Sequence, residues 1–105
     1  MIPWKYVLEG KTPVPVDDIH EWAMKFETCD RQIKLSELPS GETISTVFLG
    51  VDSNFLFGTQ PLLFETMIFG GEYDHWQQKY ATWEEAEAGH EEAIQMIFDI
   101  IPDKV

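Results

Sequence analysis

Thr43–Gly71, TISTVFLGVDSNFLFGTQPLLFETMIFGG, decides how the rest of this chain must be arranged. It contains two dense apolar runs, Ile44–Leu49 and Leu62–Phe69, both of strand length and rich in β-branched and aromatic residues. Between them stand Gly50, Asp52, Ser53, Asn54, Gly58 and Pro61, residues that favour turns. Two paired antiparallel strands follow from that pattern. Alternation puts Ile44, Thr46 and Phe48 on one side and Val47 and Leu49 on the other. Phe64, Thr66 and Ile68 oppose Leu63, Glu65, Met67 and Phe69 in the same way. Strands apolar on both sides belong in the middle of a sheet, with both sheet faces at least partly covered.

Moving outward, the C-terminal segment carries the clearest helix signal. Thr82-Trp83-Glu84-Glu85 is a capping box, the Thr82 hydroxyl placed to accept from the Glu85 amide. At 100° per residue Trp83, Ala86, His90, Ala93, Ile94, Ile97, Ile100 and Ile101 fall on one stripe, with Glu84, Glu85, Glu91, Glu92 and Asp99 outside it. The helix is expected from Trp83 to Ile100, with Pro102 as its stop.

Toward the N-terminus, Trp4–Leu8 alternates like a short half-buried strand, and Glu9-Gly10-Lys11 is a turn. Pro13 and Pro15 keep Thr12–Val16 extended but out of any central position. Asp17 or Asp18 caps a helix whose inner side is Ile19, Trp22, Ala23 and Phe26, ending near Cys29–Asp30. Arg31–Leu38 alternates weakly, as a strand entering the Pro39-Ser40-Gly41 turn. Glu72–Tyr80 is polar with interspersed aromatics and fits either irregular chain or one helical turn. The expected fold is α+β: one domain, an antiparallel sheet of three to four strands, the C-terminal amphipathic helix on one face, and the second helix, near the N-terminus, beside or behind it.

Composition narrows the function classes. The 105 residues are 44% hydrophobic and 13% aromatic, enough for one core. No apolar run approaches the ~20 residues of a membrane span, and MIPWKYVLEG lacks the pattern of a signal peptide, so the cytoplasm is the expected location. Cys29 is the single cysteine, which leaves no intramolecular disulfide. Net charge is −12; from Gly41 onward 12 acids face 2 bases. Such a field repels phosphate, so nucleic acid is not an expected partner, whereas a basic protein is compatible.

Several groups are candidates for chemistry. His90 lies near the middle of the apolar stripe beside Gly89, which could let the helix sit close to the sheet and aim His90 at a sheet acid such as Glu65; hydrogen bonding within the core is the simpler reading. Glu65, inside an apolar run, needs a partner: His90, Lys79 or Arg31. Asp52 and Asn54 have ligand chemistry, but lack the other oxygens of a calcium loop, and turn formation accounts for both. Asp74-His75 with His20 or His90 matches no zinc spacing, so neither metal nor cofactor is expected. Tyr73, Trp76, Tyr80 and Trp83, with Phe55 and Phe57, form either a lid over the second sheet face or an aromatic partner site, to which His75 is adjacent. A contiguous exposed apolar patch would point to a homodimer.

Taken together, Thr46-Val47-Phe48-Leu49-Gly50 with Asp52 and Phe55, then Pro61-Leu62-Leu63-Phe64-Glu65-Thr66-Met67 with Phe69-Gly70, then Tyr80 and Thr82–Glu87 with Gly89-His90, resemble small uncharacterised proteins of tailed bacteriophages and prophages. Pro13–Phe26 fits the same pattern. The resemblance implies a phage origin and action in the host bacterial cytoplasm, without supplying an activity. The expectation is a non-catalytic accessory protein that binds a host or phage protein. The alternative is a small ligand-binding domain or enzyme with a site around Glu65, Asp52 and His90.

Overall fold

The computed structural model describes residues 4–54 and 60–100, the Ile100 side chain excepted. Phe55, Phe57, Ile101 and the Pro102 stop lie outside the described residues. The fold is α+β. Strands β1 (Tyr6–Glu9) and β2 (Thr12–Pro15) form a separate antiparallel hairpin. Helix α1 (Ile19–Thr28) follows. Then β3 (Gln32–Glu37), β4 (Thr43–Phe48), β5 (Phe64–Phe69) and β6 (Gln77–Tyr80) make an antiparallel sheet in that spatial order. Helix α2 (Trp83–Ile100) closes the described chain.

The two central runs pair as expected, with Ile44 opposite Ile68, Thr46 opposite Thr66 and Phe48 opposite Phe64. Their inward residues are all buried, because α2 lies across that face and touches all four strands. The capping box forms: the Glu85 amide donates to Thr82 Oγ1 at 3.1 Å, and the Glu85 carboxylate accepts from the Ala81 amide at 3.1 Å. Along α2, Ala86, His90, Ala93 and Ile97 make the buried stripe. The core divides in two. One end holds Tyr6, Phe48, Leu63, Phe64 and Ala86. The other holds Ile44, Ile68, Ala93 and Ile97. Thr46, Thr66 and His90 form the seam between them.

Three expectations need correction. First, the second sheet face is not covered by any described element: Leu35 and Phe69 on it are 56% and 44% exposed. The helix α1 does not reach it. Instead α1 leans by Trp22 and Phe26, stacked with ring centroids 5.1 Å apart, on the Phe48 end of the α2-covered face. Ile19 and Ala23, expected inside, are exposed, and α1 has no buried residue. Its anchorage is polar as well: the Trp22 indole N–H is shared between the carbonyls of Tyr6 and Gly50 at 3.0 and 3.1 Å. Second, Tyr73 and Trp76 do cover core, but on the α2 side, against the Ile44–Ile97 cluster. Third, the C-terminal half of the undecided Glu72–Tyr80 stretch is a strand, β6, whose residues pair with Phe64–Met67. An edge strand bonded on one side only can be polar, which hid it from hydrophobic periodicity.

Candidate functional site

At the seam, four side chains from four different elements share one hydrogen-bonded row, and Tyr80 of a fifth adjoins its end. His90 of α2 is fully buried. Its Nδ1 lies 2.7 Å from Thr46 Oγ1 and its Nε2 2.8 Å from Ser36 Oγ. Thr46 Oγ1 is 2.5 Å from Thr66 Oγ1, and the Tyr80 hydroxyl stands near Thr66 at the end of the row. The order is therefore β3, α2, β4, β5, β6. It exists because Thr46 and Thr66 occupy directly opposed positions in register, each flanked along its strand by two buried apolar residues. Cross-strand threonines at that spacing bond each other.

The neutral network can be satisfied in either of two directions. Thr66 can donate to Thr46, and Thr46 to Nδ1, while Nε2–H donates to Ser36. Alternatively every proton is reversed, with Ser36 donating to Nε2 and Nδ1–H to Thr46. Each choice leaves no polar atom of the row unpaired. Burial holds His90 below its ordinary pKa of 6.5, the Lys34 ammonium adds to this, and the neighbouring Glu91 carboxylate opposes it. Burial also raises Tyr80, the nearby Thr66 hydroxyl acts against this, and the Glu92 carboxylate acts with it. Both groups are thus driven toward their neutral forms.

Tight seating of α2 depends on Gly89, also buried. A Cβ there would stand well under 3.0 Å from the Tyr80 ring and hydroxyl. The glycine admits Tyr80 rather than directing His90 toward an acid.

A Ser36–His90 pair at hydroxyl-to-imidazole bonding distance is the element from which nucleophiles are made. Here it lacks the rest. The group on Nδ1 is a neutral threonine rather than a carboxylate, so an imidazolium would be unsupported. Four clefts among the described residues, of about 530, 300, 290 and 210 Å³, are lined by the α1–β3 junction, the β1–β2 hairpin, α1 and the Pro61 segment, and none of them by a residue of this row.

The structure scatters the residues that the sequence singled out. Glu65 is on the opposite sheet face from His90 and pairs with its cross-strand neighbour Lys79 at 3.2 Å. Opposite faces follow from sequence parity: Glu65 is one residue from Thr66, which points at His90. Asp52 shares no space with either. Its Oδ1 accepts from the amides of Asn54 at 2.8 Å and Leu62 at 3.0 Å, closing the mouth of the long β4–β5 connection. The Asn54 side-chain amide donates to the Gln60 carbonyl. Asp74 and His75 shape the β5–β6 turn: Asp74 Oδ1 accepts from the Gly70 amide, His75 takes φ +73°, and its own amide donates to the Ile68 carbonyl. The His75 ring is 80% exposed beside Asp74. Among the described residues no three His, Cys, Asp or Glu side chains cluster as a metal site. Of the aromatic supply, Tyr73, Trp76, Tyr80 and Trp83 pack against core, and Phe55 lies outside the described residues.

Sequence reasoning missed Ser36, Thr46, Thr66 and Tyr80 as partners of His90. The signal was present: one hydroxyl in the middle of each central apolar row and one imidazole in the middle of the apolar helix stripe. Comparison with family models, with curated proteins and with solved structures finds no match to this chain.

Proposed function

We propose that this protein is a small, acidic, non-catalytic accessory protein of phage origin that acts in the host bacterial cytoplasm by binding a host or phage protein. The observation carrying this reading is the sealing of the acid–base side chains. His90, the one imidazole placed against a hydroxyl, has 0% exposure and serves to join two halves of the core. What the molecule offers to its surroundings is charge. Every described lysine and arginine is already engaged by a carboxylate or an aromatic ring. Glu84, Glu85 and Glu92 are exposed on α2 and meet no cation among the described residues. Among the described residues no helix is long and apolar enough to cross a membrane, and the negative field disfavours nucleic acid.

The test is purification of the tagged protein from infected or expressing bacteria, at low and at high salt. A stoichiometric protein partner released by salt is the expected result, since exposed charge pairs are screened beyond about 10 Å at 0.1 M. A small-molecule activity abolished by His90→Gln in a variant that stays folded would overturn the proposal.

A further inference from the structure

We infer that the uncovered face of the four-stranded sheet is where the partner docks, and that the partner presents apolar side chains flanked by lysine or arginine. This rests on the protein-binding reading above and names its surface and chemistry.

The register defines the face row by row. Glu37, Thr43 and Phe69 form one row; Leu35, Ser45, Met67 and Gln77 the next; Val47, Glu65 and Lys79 the third. Leu35 and Phe69 are 56% and 44% exposed, two of the large apolar side chains the fold leaves open to water. Met67, next to Phe69 along β5, and Val47, in the third row, are half-buried. An apolar centre of this kind on a sheet face is a surface made to be covered.

Charge decides the occupant. Among the described residues the one cation on the face is Lys79, neutralised in place by Glu65. At the Phe69 end Glu37 is exposed and meets no described cation, and Glu72 follows Gly70-Gly71 in the same condition. Asp74, which holds the Gly70 amide, adds to that side. The Phe69 end is therefore negative beside an apolar middle, complementary to a cationic, apolar segment.

Charge argues against a second copy as the occupant, since two copies would bring equal charges of −12 together. Four strands about 4.8 Å apart and about six residues long project roughly 400 Å², about half of what each partner of a standard complex buries, which suits a single segment of the partner rather than a broad folded surface. The sheet edges are poor alternatives. The outer strand β3 carries a register shift between Gln32 and Lys34, and β6 is only four residues long. Both features blunt strand addition.

The experiment titrates the isotope-labelled protein with a synthetic alternating Leu-Lys peptide and maps amide shifts by NMR, with alternating Ser-Lys and Leu-Glu peptides of equal length as controls. Shifts centred on Leu35, Ser45, Met67 and Phe69 are expected for Leu-Lys alone. The double variant Leu35→Ser/Phe69→Ser, both exposed sites, should keep the thermal stability of the parent and bind Leu-Lys about tenfold more weakly, as loss of central apolar anchors does. Asp17→Asn/Glu27→Gln, the same number of changes at exposed acids beside and on α1, should leave that affinity within about twofold, as outlying charges do. Equal binding of Ser-Lys, shifts confined to α2, or unchanged affinity of the Leu35/Phe69 variant would overturn the inference. So would a dimer in sedimentation that the same variant dissolves. A natural partner that still binds the Leu35/Phe69 variant refutes this surface while sparing the binding function. Absence of any natural partner, with the peptide result positive, refutes the binding function and spares the surface.

Discussion

Replacing Gly89 by alanine opposes two well-defined effects, and the structure predicts which prevails. In an exposed helix the change would stabilise by about 1 kcal/mol, because glycine loses more backbone freedom on folding. Here the new methyl would stand well under 3.0 Å from Cζ, Cε1 and the hydroxyl of Tyr80. Overpacking costs about 1–3 kcal/mol, and a contact this short lies at the upper end of that range. Set against the helix gain, the sum favours a net loss of about 1–2 kcal/mol, or a melting temperature lower by roughly 5–10 °C for a domain of this size. Urea denaturation followed by circular dichroism and tryptophan fluorescence measures it. A cycle isolates the cause: in a Tyr80→Ala background the clash is gone, so the same Gly89→Ala change should be neutral or stabilising by up to about 1 kcal/mol. A parent chain stabilised by Gly89→Ala would refute the seating of α2 on Tyr80, and equal effects in both backgrounds would refute the clash as the cause.

Further outcomes can be stated briefly. His90 has its folded pKa held below the unfolded 6.5, so the unfolded chain binds the extra proton. Its contribution is fully present above about pH 6.5 and is lost as the pH falls from there toward the folded value; urea midpoints measured from pH 5 to 8 should decline on the acid side, and that component should be absent from His90→Gln. Thr46→Val removes the hydroxyl shared by His90 and Thr66 while keeping the shape, and should cost about 1–3 kcal/mol by chemical denaturation; no loss would show that the polar seam contributes nothing. Asp52→Ala should speed hydrogen exchange selectively at the Asn54 and Leu62 amides that its carboxylate holds, without altering exchange in β4. Trp22→Phe should destabilise more than Trp83→Phe, because the Trp22 N–H serves two carbonyls whereas the buried Trp83 N–H has no acceptor among the described residues; the reverse ranking would contradict the anchoring of α1.

The fold was largely readable because its two deciding signals are local. Alternation in Thr43–Phe69 specifies which side chains share a side, and the capping box with its apolar stripe specifies α2. Both depend on neighbours in sequence, so each could be read without knowing what lay across from it. Edge elements were harder. Gln77–Tyr80 is a strand because Phe64–Met67 offers it a ladder, and its own polar residues say little of that. Likewise Ile19, Ala23 and Phe26 have helical spacing whether or not anything covers them, and only Phe26 and Trp22 found a neighbour.

The candidate groups divide along the same line. That Asp52 closes a turn and that His90 sits in an apolar stripe are statements about adjacent residues, and composition and spacing sufficed for them. That Glu65 chooses Lys79, and that Ser36, Thr46, Thr66 and Tyr80 gather around His90, depends on strand register and on which sheet face the helix occupies. Those are set when separate segments dock, as burial of Ile44, Ile68, Ala93 and Ile97 selects one face for α2 and leaves Leu35 and Phe69 facing water. Amino-acid order carries the periodicity of each segment; only contact between segments gives a hydroxyl, an imidazole or a carboxylate its neighbour.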